Sequence, residues 1–192
     1  RAIAVWELPP PAPPTSSTLV YLHGVRDPRN VGAVIRSADA LAVAQVVVGP
    51  GCADPYGPRA ARATMGSIFA RPPVFGGTDL THRPRLALSA HGGAPLDEVV
   101  TGLLRLHGHG RTESGTEWSP PRLTLCLGAE REGLPDSVLA VCDAVATIEL
   151  RGTAESLNVA AAAAIARRTR ARRRSRTASV DRHHTLERLS IG

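Results

Sequence analysis

Five apolar, β-branched runs recur along the chain, and each ends in a loop of small and polar residues. They are Thr18–Leu22, Gln45–Val48, Leu86–Ser89, Leu123–Leu127 and Val145–Leu150. Runs of four to six apolar residues bounded by turn signals predict buried strands. A further short strand is expected within Phe69–Phe75. Between them the period changes. Val31, Val34, Ile35, Ala38 and Leu41 recur at helical spacing, with Arg36 and Asp39 off the stripe. Arg59–Met65 reads as a short helix and Pro95–Leu106 as another, and an alanine-dominated helical run begins at about Ser156. Strands alternating with helices predict an α/β fold: a mostly parallel sheet flanked by helices.

Ligand sites in such sheets lie beyond the carboxyl ends of the strands. The loops at 23–30, 90–94, 128–135 and 151–158 all follow strands and are expected to converge there. Gly128, Gly133 and Gly152 mark two of them as places where the backbone can approach a nucleotide-like ligand closely. Asn30 is placed to cap the helix that follows it.

Composition bounds this picture. Apolar residues make up 43% of 192 residues, enough for one core, but aromatics only 3%, so the core is aliphatic. No apolar run approaches the length of a membrane span, and no signal peptide is visible, so a cytoplasmic location is expected. The first residue is Arg, which suggests a processed chain or a piece of a longer one. Cys52, Cys126 and Cys142 are widely spaced; the last two lie in apolar runs and read as buried thiols. His107 and His109 sit in a Gly/Ser/Thr-rich stretch, 107–121, which reads as a surface loop and a poor metal site, so no metal is expected.

The formal charge of +6 is uneven. Residues 167–176 hold seven arginines, and the excess lies in a tail over 167–192, while the body is near neutral. Such a tail reads as solvated, or as a salt-sensitive attractor of RNA phosphates. Residues 1–17 form a Pro-rich leader, 18–166 the folded domain.

Three segments, in order, resemble the motifs of the SpoU (TrmH-like) branch of the SPOUT RNA methyltransferases. They are Asp27-Pro-Arg-Asn30-Val-Gly32-Ala-Val-Ile-Arg36, Gly128-Ala-Glu130-Arg-Glu-Gly133-Leu134-Pro135, and Ile148-Glu-Leu-Arg-Gly152-Thr-Ala-Glu-Ser156-Leu157-Asn158. Asp54–Ser67 is similar to the segment between the first two, and residues 1–8 resemble the end of the RNA-binding domain that often precedes this fold. The resemblance implies a C-terminal deep trefoil knot, S-adenosylmethionine as cofactor, a homodimer, and an rRNA or tRNA substrate methylated on a ribose 2′-hydroxyl. It places Ser89, Ala90, His91, Gly92, Leu127, Gly128, Ile148, Leu157 and Asn158 at the cofactor, and Asn30, Arg36, Glu130, Ser156 and Asn158 in the active-site set.

Those residue types suit the reaction. A ribose hydroxyl is a poor nucleophile near neutral pH, so its proton must be accepted or its alkoxide stabilised while the methyl donor is held in line. Arg36 is assigned to the 2′-hydroxyl, chiefly as a stabilising cation, since a guanidinium ordinarily stays protonated. Glu130 is expected to orient Arg36 or a loop amide, and Asn30, Ser156 and Asn158 to bind the ribose-phosphate or fix the loops. Taken singly, each has a plainer reading, as a helix cap or a surface acid. Two other classes compete with this reading: a non-catalytic RNA-binding paralogue with a relict pocket, and a dinucleotide enzyme, which would need a GxGxxG after the first strand that is absent here.

Overall fold

A computed structural model describes residues 5, 7–10, 12–42, 44–90, 92–106, 110–111, 118–119, 122–150 and 157–166. Seven parallel strands form one sheet. They are β1 (Thr18–Leu22), β2 (Gln45–Val48), β3 (Val74–Phe75), β4 (Arg85–Leu88), β5 (Ala94–Pro95), β8 (Leu123–Leu127) and β9 (Ala144–Thr147). Their order across the sheet is β3-β2-β1-β8-β4-β9-β5. The late strand β8 therefore lies between two early ones, with Thr18 opposite Leu123 on one side and Arg85 opposite Thr124 on the other.

The alternation of side chains along each strand feeds two separate cores. Val20, Leu22, Val46, Val48, Leu86, Leu125 and Leu127 face one side; Leu19, Tyr21, Val47, Ala87 and Cys126 face the other. Both faces are buried, as a parallel sheet requires. The first face is covered by α1 (Pro28–Ala42), α4 (Leu96–Leu106) and a final helical run at 159–166. Val31, Val34, Ile35 and Ala38 are the buried stripe of α1, as their spacing predicts, while Leu41, expected on the same stripe, is exposed in the last turn of the helix; Val159, Ala163 and Ala166 are the stripe of the final run. The second face packs against Leu134 and, from α5 (Asp136–Leu139), Val138. Two short helices, α2 (Pro58–Ala63) and α3 (Ser67–Ala70), lie against α1. Gly32 makes the α1–α2 approach possible: a Cβ there would lie 2.3 Å from the Ala60 carbonyl oxygen.

Several expectations are corrected. The first long helix begins at Pro28, and its cap is Asp27, not Asn30. The Asp27 carboxylate accepts the Arg29 N–H at 2.8 Å, and its carbonyl accepts those of Asn30 and Val31. Proline is preorganised for the first helical position, and the residue before it is then the natural cap. The 107–121 segment contains a two-stranded antiparallel pair, β6 (Gly110–Arg111) and β7 (Trp118–Ser119), too short to leave a periodic signal. Strand β9 stops at Thr147, so Ile148–Leu150 belong to a loop. Cys126 is buried, but Cys142 is only half-buried; its thiol donates to the Val138 carbonyl at 3.2 Å. His91, His107, His109, Arg151–Ser156 with the expected knot crossing, and the tail at 167–192 lie outside the described residues. Among the described residues, no helix is long and apolar enough to cross a membrane.

Candidate active site

A cavity of about 440 Å³ opens beyond the carboxyl ends of three adjacent strands, β8, β4 and β9. Each strand supplies its last residue or the one or two that follow: Leu127 and Gly128, Leu88 with Ser89 and Ala90, and Ile148. Leu157, Val159 and Ala162 from the start of the final helical run close a further side. Of the residues assigned to the cofactor from sequence, Ser89, Ala90, Leu127, Gly128, Ile148 and Leu157 line this cavity. Gly92 and Asn158 are exposed and are not among its lining, and His91 lies outside the described residues.

The loop after β8 forms the cavity's most unusual wall. The chain leaves the strand at Gly128, turns through 129–132 and folds back, so that Ala129 and Gly133 form a bridge. The Gly133 N–H donates to the Ala129 carbonyl at 3.0 Å. Gly133 is in the left-handed region, φ +69°, which glycine reaches at little cost. A Cβ on Gly128 would lie 2.1 Å from the Gly133 carbonyl carbon, so only glycine allows the loop to close on the strand end. Leu134 and Leu139 then turn inward as apolar wall, and Glu130, Arg131 and Glu132 stand at the rim. Sequence reasoning missed Leu134, Leu139, Val159 and Ala162. Their signal was present: Val159 and Ala162 are three apart at the start of a helix, and Leu134 follows the glycine turn.

Three of the polar residues predicted from sequence meet at the edge of this loop. Asn158 uses its side-chain oxygen to accept the Ala160 N–H at 2.9 Å, capping the final helical run. Its amide nitrogen donates to the Asn30 side-chain oxygen at 2.8 Å. Asn30 in turn donates from its amide nitrogen to the Glu130 carboxylate. The result is a directed chain of hydrogen bonds from a backbone N–H to a carboxylate, with both amides oriented by their partners. It joins the first, second and third sequence motifs. A second link, Arg26 to Glu132 at 3.4 Å, is exposed and contributes little energy.

Glu130 thus meets Asn30 rather than Arg36. Arg36 is exposed and makes no hydrogen bond or ion pair among the described residues. At about 100° per residue, six residues of helix turn it roughly 120° from Asn30. Ser156 lies outside the described residues. Near the start of α1, the Arg29 side chain beside Asp27 holds the Asp27 carboxyl below the usual carboxylate range, and the charge of Arg59 adds to this. Burial pushes the Tyr21 phenol up to about 12, and its oxygen lies 3.1 Å from Nδ1 of His23 at the end of β1.

Comparison with known proteins places the chain in a family. The chain is 34% identical over 158 residues to an uncharacterised tRNA/rRNA methyltransferase of Mycobacterium tuberculosis, covering 78% of this chain and 50% of that one. It is 31% identical over 165 residues to the 23S rRNA (guanosine(2553)-2′-O)-methyltransferase RlmP of Bacillus subtilis, covering 84% of this chain and 61% of that one. The structure of an AdoMet-bound rRNA methyltransferase from Sinorhizobium meliloti superposes with a TM-score of 0.64 at 30% identity, covering 81% of this chain and 56% of that one. The chain therefore spans about half to three-fifths of the length of these relatives. The sequence profile of the SpoU rRNA methylase family matches residues 17–167, and the chain belongs to that family.

Proposed function

We propose that this chain transfers a methyl group from S-adenosylmethionine to a ribose 2′-hydroxyl of rRNA or tRNA. The observation that carries this reading is the cavity at three adjacent strand ends with the Asn158–Asn30–Glu130 chain at its edge. The cavity fits the cofactor. Its volume is within the range of small-molecule sites, its walls are aliphatic enough to hold a flat heterocycle, and its strand-end loops offer backbone groups for hydroxyls and ring nitrogens. The missing Cβ of Gly128 leaves the loop closed against the strand end. Of the rim acids, Glu132 is paired with Arg26, which leaves the Glu130 carboxylate to complement a ligand carrying positive charge. Ser89, Ala90, Leu127, Gly128, Ile148 and Leu157 would hold the cofactor, which supplies the electrophilic methyl group when bound.

The remaining roles belong to the chain's own side chains. The hydrogen-bond chain orders the strand-end loop against α1 and leaves the Glu130 carboxylate pointing at Asn30. Arg36 is the cation that stabilises the 2′-oxygen while its proton passes to water and the oxygen takes the methyl group. It diverges from Asn30 on α1, so a second copy of the chain is the simplest source of an Arg36 at the mouth of the cavity. This supports the homodimer as part of the reading. The test is Arg36→Ala. Methyl transfer to rRNA should fall at least 100-fold, about 2.7 kcal/mol of transition-state stabilisation. S-adenosylhomocysteine affinity should stay within twofold. Mixing this variant with a Gly128→Ala variant should restore activity through mixed dimers. Full activity in Arg36→Ala would overturn the assignment.

A further inference from the structure

We infer that an exposed ridge from Arg29, at the start of α1, through Arg59 and Arg62 on α2 to Met65 grips the RNA strand flanking the methylated nucleotide; the inference rests on the reading of this chain as an RNA methyltransferase. The body of the protein is near neutral, but its charge is segregated. Residues 26–71 carry six arginines against three aspartates, whereas 72–165 carry seven arginines against eleven acids. Within the basic part, two of the aspartates are engaged: Asp27 with Arg29 at 2.8 Å, and Asp39 with Arg71 at 3.2 Å. Asp54 accepts the Tyr56 N–H. Arg59 and Arg62 form no ion pair or hydrogen bond with a carboxylate among the described residues, and both are exposed.

These cations lie close to the candidate active site. Arg59 is near enough to Asp27, the cap of α1, for its charge to act on that carboxyl. Arg29 stands two residues beyond that cap, its side chain 78% exposed, and the next residue is Asn30. Arg59 and Arg62, three apart, share one side of α2, which Gly32 brings onto α1. The ridge therefore starts at the edge of the site and leads away from it. At its far end, Met65 has φ +51° and is 74% exposed. A non-glycine residue in that conformation costs energy, and here the backbone presents an apolar side chain to solvent instead of burying it. Single-strand binders set cations for the phosphates beside a surface for the base faces, usually aromatic, and the exposed Met65 thioether beside Arg59 and Arg62 offers a smaller apolar surface of that kind.

The test uses the full chain and a 30-nucleotide RNA with 4-thiouridine at every uridine, crosslinked by long-wave light and mapped by mass spectrometry after trypsin digestion. Crosslinks are expected in the peptide that contains Met65. In Arg59→Glu/Arg62→Glu their yield should fall at least fivefold, while crosslinks to the Arg-rich tail persist and S-adenosylhomocysteine affinity stays within twofold. The salt slope of RNA binding should fall by one to two units, since each neutralised phosphate of a single strand contributes about 0.7. Crosslinks confined to the tail, or unchanged in the double variant, would overturn the inference. So would a dimer lost in the double variant with no crosslink at Met65, which would assign the face to a second copy. If the wild type binds S-adenosylhomocysteine but leaves Met65 uncrosslinked, the face fails and the methyltransferase reading stands. A Met65 crosslink without S-adenosylhomocysteine binding would reverse that outcome.

Discussion

Replacing Gly128 with alanine should open the cavity loop. The added Cβ would lie 2.1 Å from the Gly133 carbonyl carbon, 2.2 Å from its oxygen and 2.4 Å from the Leu134 nitrogen. All three are backbone atoms, so no rotamer change relieves the clash. To reach a normal carbon contact of about 3.5 Å the returning strand of the loop must retreat by roughly 1.4 Å. Overpacking of this kind costs about 1–3 kcal/mol. Loss of the Gly133 to Ala129 hydrogen bond adds about 1 kcal/mol. For a chain of this size the combined loss lowers Tm by roughly 5–15 °C. The same retreat carries the rim outward and Leu134 out of the wall, so S-adenosylhomocysteine affinity should drop at least tenfold, about 1.4 kcal/mol. Differential scanning calorimetry and isothermal titration measure both. Gly102→Ala is the control: a Cβ there meets nothing within 4 Å on α4, and the substitution should stabilise by about 0.4–1 kcal/mol. A Gly128→Ala protein with Tm within 2 °C of wild type and unchanged affinity would refute the closed-loop geometry.

Three further outcomes follow from the geometry. Asn30→Ala should lose about 1 kcal/mol in denaturant titration, and Asn30→Asp more, because it sets a second carboxylate against Glu130; equal losses would show that the link is not formed. The Asp27 carboxyl is depressed in the folded state, so its contribution is complete above the ordinary aspartate range and disappears as pH falls through the depressed value. The Tm difference between wild type and Asp27→Asn should therefore be full at pH 7 and close toward pH 2, and a pH-independent difference would count against it. The Tyr21 phenol is raised, so its contribution to stability is complete below pH 10 and lost as pH climbs toward about 12; tyrosinate absorbance near 295 nm should lag that of the denatured chain, and coincident titrations would contradict the burial.

Much of this was legible in the chain because it depends on local pattern. The five-residue run of β1 is buried on both faces, which marks a central parallel strand, and the stripe from Val31 to Ala38 faces the core as spaced. The small residues after β8 announced a close approach, and the structure shows what approaches: the loop's own return strand. What failed was the assignment of partners. Asn30 reads equally well as a cap or as an active-site amide, and the choice depends on Pro28, which shifts the cap to Asp27, and on two loops about a hundred residues away. Leu134 and Val159 are ordinary apolar residues in sequence. Only the return of the chain to one strand edge makes them cavity wall. Short strands such as β6 and β7 have too few residues to show any period.

The insertion of β8 between β1 and β4 also constrains how the sheet can be assembled during synthesis. The residue pair Thr18–Leu123 is among the most sequence-distant in the sheet. At about 5–20 residues per second, the ribosome needs roughly 5–20 s to deliver β8 after β1 has emerged. Through that interval β1 must wait with an unpaired inner edge, and β4 for roughly the last 2–8 s of it, because neither can pair with the other without excluding the strand that belongs between them. The nascent chain is therefore most open to wrong pairing before β8 is made, and ribosome pausing or early termination ahead of that strand would leave unpaired apolar edges for chaperones to cover.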